Sequence, residues 1–225
     1  MPKKDIAIVL LSGGLDSATC LAIAKSDGFD CFALSFDYGQ RSRSELNAAK
    51  KLGETYEVLE HKIIRLDIGQ LGGSALTDLS IEIPKEETAG IPATYVPARN
   101  TVFISYALAW AEVKKASAIY IGVNALDYSG YPDCRPEYIK AVQNVVDLAT
   151  KGGVEGKKIK LETPLISFTK PEIIKRGTGL GVNFADTVSC YQADFDGSAC
   201  GKCDSCRLRR NGFLDSGLED VTIYK

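Results

Sequence analysis

Histidine is nearly absent from this chain, with His61 the sole one in 225 residues. A histidine-rich metal centre is therefore ruled out, and any nucleophile needing an imidazole base depends on that one side chain. His61 falls on a strand candidate, where a structural or surface role is expected. A basic surplus is missing too. With 27 Lys and Arg against 29 Asp and Glu, the formal net charge is −2. That argues against a broad nucleic-acid footprint, since such binding draws most of its affinity from cations neutralising phosphates. No apolar run approaches the roughly 20 residues that span a bilayer, so no membrane segment is expected. There is no internal repeat, no low-complexity tract and no G-x-x-x-x-G-K-[ST] loop. The last absence argues against a kinase or GTPase acting on a γ-phosphate.

What is present is ordinary for a globular protein, 45% hydrophobic and 25% charged. This length supports one substantial core with room for a small accessory segment. The opening Met-Pro-Lys-Lys-Asp has the charges of a signal peptide, but the apolar stretch after it runs into Ser12-Gly13-Gly14 without a cleavage-like site, so a cytoplasmic protein is expected. Seven cysteines cannot all pair within one molecule, and a reducing compartment disfavours disulfides. Metal binding becomes the better reading of any cluster.

Residues 6–11 (IAIVLL) form a short continuous apolar run, as a strand buried on both faces of a parallel sheet requires. Leu15–Lys25 then reads as a helix, Cys31–Phe36 as a strand, Ser42–Leu52 as a polar helix and Glu57–Leu66 as a third strand. Residues 67–97 carry glycines and prolines with little periodicity and read as an excursion over the sheet's edge, of a kind that is often functional. A helix over Thr101–Lys115 and a strand over Ala118–Val123 resume the alternation. A helix over Pro136–Ala149, a short strand over Lys158–Glu162 and a capping box at Thr169 and Glu172 follow. Gly177-Thr178-Gly179-Leu180-Gly181 follows a helix and reads as its glycine-rich end. The pattern predicts an α/β fold with a doubly wound, mostly parallel, Rossmann-like sheet over 1–185, and a small metal-binding segment with a C-terminal helix over 186–225.

Ser12-Gly13-Gly14-Leu15-Asp16-Ser17 lies where the first strand gives way to a helix, which is where open α/β sheets form a ligand crevice. Two glycines let the backbone approach an anion, the Ser12 and Ser17 hydroxyls donate to it, and free helix N–H groups add partial positive charge. Asp16 would repel a polyphosphate unless the two shared a magnesium ion, so metal-bridged nucleotide binding is the expectation. A plain strand-to-helix turn is the bland alternative. The hexapeptide resembles the SGG-x-DS signature of the PP-loop ATP pyrophosphatases, which implies cleavage of ATP between its α and β phosphates.

Cys190, Cys200, Cys203 and Cys206 give two consecutive C-x-x-C steps with a fourth thiol upstream. Four thiolates close a tetrahedral zinc site with no position left for water or substrate, so the zinc is expected to be structural. An iron–sulfur centre is the rival. Lys202, Arg207, Arg209 and Arg210 read as cations offsetting the thiolate charge, or as a small phosphate-contacting patch.

Further strings share one pattern: Phe36-Asp37-Tyr38-Gly39-Gln40-Arg41, Pro97-Ala98-Arg99-Asn100 and Asp127-Tyr128-Ser129-Gly130-Tyr131-Pro132-Asp133-Cys134. With the SGG-x-DS loop and the C-terminal cysteines they make nearly the whole chain resemble the family of 7-cyano-7-deazaguanine synthases. One departure is Ser42, where the family often continues Gln-Arg with His. The resemblance implies an ATP-dependent carbon–nitrogen ligase that converts 7-carboxy-7-deazaguanine and ammonia to the nitrile for queuosine or archaeosine, as a homodimer with no stable nucleic-acid partner. It implies ATP contacts from Leu11, Ser12, Gly13, Gly14, Leu15, Asp16, Ser17, Phe36, Gln40 and Arg41. Asp16, Arg99 and Lys170 are candidate catalytic groups, the two cations for charge developing on the nucleotide or carboxylate. Asp127, Tyr128, Tyr131 and Asp133 are candidates for the deazapurine, the carboxylates accepting from its adjacent N–H donors and the tyrosines covering its face. Cys134 is a weaker candidate nucleophile, and Cys20 and Cys31 fit core packing. A tRNA-thiolating PP-loop enzyme and a zinc-ribbon binding module remain as alternatives.

Overall fold

The computed structural model describes residues 4–84, 90–126 and 130–225. Five strands, β1 (Ile6–Leu10), β2 (Asp30–Asp37), β3 (His61–Arg65), β4 (Ala118–Tyr120) and β5 (Lys160–Glu162), form one sheet. Their order is β3-β2-β1-β4-β5 and every pairing is parallel. Seven α-helices are described: α1 (Leu15–Ser26), α2 (Ser44–Thr55), α3 (Arg99–Lys114), α4 (Pro136–Ala149), α5 (Lys151–Val154), α6 (Lys170–Gly179) and α7 (Asp204–Ser216). This is the doubly wound architecture that the alternating pattern predicts.

The two-residue period of the strands explains the two layers. Ala7, Val9, Ala33 and Ala118 point to one face, where α1, α2 and α6 pack. Ile8, Leu34, Phe32 and Ile119 point to the other, under α3 and α4. Small side chains on the first face let α1 come close, and α6 then covers α1 from outside, so α1 is buried almost all round. Gly177 makes that contact: a Cβ there would stand 2.7 Å from Thr19 Oγ1 and 2.6 Å from Phe184. Thus Gly177 and Gly179 lie within α6 rather than after it, and the turn falls at Leu180 and Gly181.

Boundaries shift for local reasons. Glu57 adopts a left-handed turn after α2 (φ +47°), so β3 begins at His61 instead of Glu57. The Ala118–Val123 strand ends its ladder at Tyr120, although the Ile121 N–H still reaches Glu162 O at 3.0 Å. The α3 helix starts at Arg99, preceded by Ala98 at φ +53°. The capping box forms as the sequence requires, with the Glu172 carboxylate accepting from Thr169 N–H at 2.7 Å. His61 Nε2 sits 2.7 Å from Ser35 Oγ at the sheet, and burial lowers its pKa. No described helix is long and apolar enough to cross a membrane.

The crossover that carries the chain from β3 to β4 over the opposite face makes β1 and β4 neighbours at the sheet's centre. Their carboxyl ends form the topological switch point of such a sheet, where ligand crevices open.

Candidate active site and metal centre

At that switch point lies a cavity of about 300 Å³. Its floor is the turn between β1 and α1. Gly13 takes φ +92°, and a Cβ on it would fall 2.0 Å from the Glu45 carbonyl oxygen, so only glycine lets α2 abut the turn. Ser17 Oγ accepts from the backbone N–H groups of Ser12 and Gly13, each at 3.2 Å, and lies 3.1 Å from Ser12 Oγ. Hydroxyls therefore converge with N–H groups at a helix N-terminus, as an anion site needs.

Leu11, Ser12, Gly14, Leu15, Asp16 and Ser17 all line the cavity, while Gly13 supports the turn from behind. Phe36, Gln40 and Arg41 line it from the β2–α2 side. Phe36 stacks on Phe103 with ring centroids 4.0 Å apart, forming an aromatic wall. Gln40 shapes its own loop, accepting from Tyr38 N–H and donating to Phe36 O. The Arg41 guanidinium donates to the carbonyls of Asp78 (2.7 Å) and Ile81 (2.5 Å), which ties the 78–81 part of the excursion to the β2–α2 connection.

Asp16 Oδ1 and Lys170 Nζ are paired at 2.7 Å, bringing together side chains 154 positions apart. Lys170 is fixed by α7. Gly212 of that helix has no Cβ, and one placed there would meet Lys170 Cγ at 2.4 Å. Arg99 opens α3 and faces the cavity among three rings, its guanidinium carbon 5.8 Å from the centroids of Tyr38 and Tyr131 and 5.9 Å from Phe103. Tyr131 lines the cavity, with its hydroxyl tied back to Thr94 O at 3.1 Å.

Asp133 stands behind the cavity wall. Its Oδ2 accepts from Asn100 N–H at 3.0 Å at the start of α3, and its buried Oδ1 has no hydrogen-bond partner among the described residues. Asp127 and Tyr128 lie outside the described residues. Cys134 borders the cavity and accepts from Asn100 Nδ2 at 3.4 Å. Burial pushes its thiol up to about 11, the wrong direction for a thiolate nucleophile.

The four sulfurs of Cys190, Cys200, Cys203 and Cys206 lie within 4.8 Å of one another. Cys203 Sγ is 3.5 Å from Cys206 Sγ and 4.0 Å from Cys190 Sγ. A tetrahedron of thiolates at about 2.3 Å from one ion has edges of about 3.8 Å, so the donor set fits a single metal ion. Backbone N–H groups of Gln192 and Cys200 point at Cys190 Sγ from 3.3 and 3.2 Å, as thiolates holding a metal require.

Sequence reasoning missed Glu45 and Ser189 and named Arg209 only among the C-terminal cations; all three are on the cavity lining. Ser189 Oγ accepts from the Leu15 N–H at 3.4 Å and from Arg209 Nη1 at 3.3 Å, and Val188 N–H donates to Gly13 O at 2.9 Å. Arg209 turns inward from the basic run, with Cys206 among the groups that favour its charge. It is 3% exposed and donates to Thr187 Oγ1 and Phe184 O, so it ties α7 to the segment that leads into the cysteine cluster. Arg210 instead stacks on Tyr224 at 4.2 Å, and Arg207 pairs with Asp204. For Glu45 a signal existed: with Ala48, Ala49 and Leu52 it occupies the i, i+3, i+4, i+7 stripe of α2, an apolar face where a carboxylate is out of place.

Among solved structures, a 4-thiouridine synthetase–RNA complex with bound ATP superposes with a TM-score of 0.55, covering 93% of this chain and 53% of that one. At 18% identity it shows the shared fold alone. Relatives in sequence are far nearer. The 7-cyano-7-deazaguanine synthase of Cellvibrio japonicus (strain Ueda107) is 62% identical over 224 residues, covering all of this chain and 99% of the relative. That of Thiobacillus denitrificans (strain ATCC 25259 / T1) is 62% identical over 221 residues, covering 98% and 99%. A family model described as "Queuosine biosynthesis protein QueC" matches residues 6–217, and with relatives at this identity over their full length the chain belongs to that family of queuosine biosynthesis enzymes.

Proposed function

We propose that the chain converts 7-carboxy-7-deazaguanine, ammonia and ATP to 7-cyano-7-deazaguanine. A carboxylate resists ammonia until its oxygen becomes a leaving group, and adenylation supplies one. Ammonia displaces AMP to give an amide, and a second adenylation of the amide oxygen lets AMP leave again as the nitrile forms. The observation that carries this reading is that the phosphate turn, the Asp16–Lys170 pair and Arg99 all face one cavity. In it, Ser12, Ser17 and the loop N–H groups hold the phosphates. Lys170 meets the charge that builds on the departing pyrophosphate, and Arg99 meets the carboxylate. Magnesium held with ATP beside Asp16 supplies charge neutralisation. Asp133, or in second place Asp127, accepts from the deazapurine's N–H donors while Tyr128 and Tyr131 cover its ring; the support for Asp133 is its buried Oδ1, which has no partner among the described residues.

The cysteine cluster is assigned to one zinc ion, on the sulfur spacing and the closed set of four protein donors. Residues 1–185 then form the nucleotide-binding part, 186–225 the metal-holding part. A cytoplasmic homodimer is the setting the family resemblance implies, and sedimentation tests the dimer. The reaction is tested by mass analysis after incubation with ATP, an ammonium salt and 7-carboxy-7-deazaguanine. The expected yield is the nitrile with two AMP and two pyrophosphate. Release of γ-phosphate with ADP overturns the adenylation.

A further inference from the structure

The nitrogen in this reaction arrives as ammonium, bearing four protons, and ends in a nitrile bearing none. Every one of them has to be handed to a base inside the cavity or to water. Of the two carboxylates on the described lining, Asp16 and Glu45, only Asp16 has a part in the scheme above. Glu45, in the first turn of α2, lines the same cavity as Ser12, Asp16 and Arg99. Its own backbone presses on the phosphate turn, since the Glu45 carbonyl oxygen is what excludes a Cβ from Gly13. A side chain so rooted is adjacent to the site of adenylation, and it sits on the apolar stripe of its helix instead of the solvent side.

We infer that Glu45 is the general base for the nitrogen co-substrate, holding it as ammonium beside the activated carboxyl and releasing it there as ammonia. The inference rests on the adenylation reading proposed above. In the amide-forming step one ammonium proton passes to the Glu45 carboxylate and the N–H electron pair stays on nitrogen. That pair forms the C–N bond, the C–O bond to AMP breaks, and AMP leaves with its electrons. A second N–H proton passes from the adduct to water, and Glu45 returns its proton to water between steps. Burial pushes the Glu45 carboxyl up to about 7, with the Arg99 guanidinium and the Gln40 side chain pulling it back. The charged and titratable groups facing it are Arg99 from α3 and Tyr38 from the β2–α2 loop. A carboxyl balanced near neutrality both takes and gives up protons at working pH.

The test separates this role from adenylation. Glu45→Gln keeps size and polarity and removes only the base. Carboxylate-dependent exchange of labelled pyrophosphate into ATP reports adenylation alone, and it is expected to persist within about threefold. Amide formation from ammonium at neutral pH is expected to fall at least a hundredfold. Hydroxylamine, which is largely uncharged at neutral pH, needs no base to become a nucleophile, so hydroxamate formation by the variant should stay within tenfold of the parent. Amide formation by the variant should also recover as the pH rises toward the range where ammonia is uncharged. Equal losses with ammonium and hydroxylamine, loss of the exchange itself, or parent-like amide formation each overturn the assignment. A parent enzyme without carboxylate-dependent exchange refutes the adenylation reading instead.

Discussion

The phosphate turn and the cysteine cluster are both tight turns with a glycine in the left-handed region, Gly13 at φ +92° and Gly201 at +69°. Both gather groups suited to an oppositely charged guest. Around Gly13 the donors are hydroxyls and N–H groups on the floor of a cavity, so the guest can come and go. Around Gly201 four sulfurs lie within 4.8 Å of one another, and all four positions on a guest ion are taken by protein. Open coordination belongs to substrates, and closed coordination belongs to structure. Yet the two are wired together. Val188 and Ser189, immediately before Cys190, hold Gly13 and Leu15, and α7, which carries Cys206, also carries Gly212 against Lys170. The closed site is the brace of the open one.

The severest way to break this comparison is to remove the metal. Cys203→Ser, or exhaustive chelation, deletes binding free energy on the order of 10 kcal/mol in small structural sites. The expected result is loss of the metal by elemental analysis and rapid proteolysis of 186–225. ATP-dependent turnover is expected to fall at least a hundredfold, because α7 no longer seats Lys170. Full turnover by a metal-free protein would separate the two regions and refute the brace. Gly13→Ala strikes only the open site. Its Cβ meets a carbonyl oxygen at 2.0 Å in a backbone conformation that alanine rarely adopts, so α2 must move. Turnover should drop at least tenfold with the metal content unchanged.

How far these regions can be read without coordinates follows from their distance along the chain. The phosphate turn and the C-x-x-C steps are contiguous, so local spacing already states their chemistry, and the β–α alternation states the layers. What spacing does not carry is the meeting of remote segments. Lys170 reaches Asp16 across 154 positions, and Ser189 reaches Leu15 across 174. Arg209 sits between exposed-looking neighbours in a basic run, and only the packing of α7 shows it turned inward at 3% exposure. The strand order, which creates the crevice between β1 and β4, is likewise a property of the crossover and not of any one segment.

The finest test of the brace is Ser189→Ala, because this hydroxyl is the narrowest link between the two regions. It receives the Leu15 N–H at 3.4 Å and Arg209 Nη1 at 3.3 Å, both long for hydrogen bonds, so each is weak. Arg209 keeps Thr187 Oγ1 at 2.7 Å and Phe184 O at 2.8 Å, so its charge is not stranded by the substitution. A net hydrogen bond contributes about 0.5–1.5 kcal/mol, which corresponds to roughly a 2- to 10-fold change in an equilibrium constant. The weak geometry points to the lower end. KM for ATP should therefore rise about two- to threefold with kcat little changed, because the hydroxyl orients the first turn of α1 without touching the reacting carbonyl. The metal stays in place, since the Cys190 ligand retains its N–H donors from Gln192 and Cys200. A fall in metal content would show that Ser189 belongs to the closed site instead, and an unchanged KM would show that the turn holds its shape without this link.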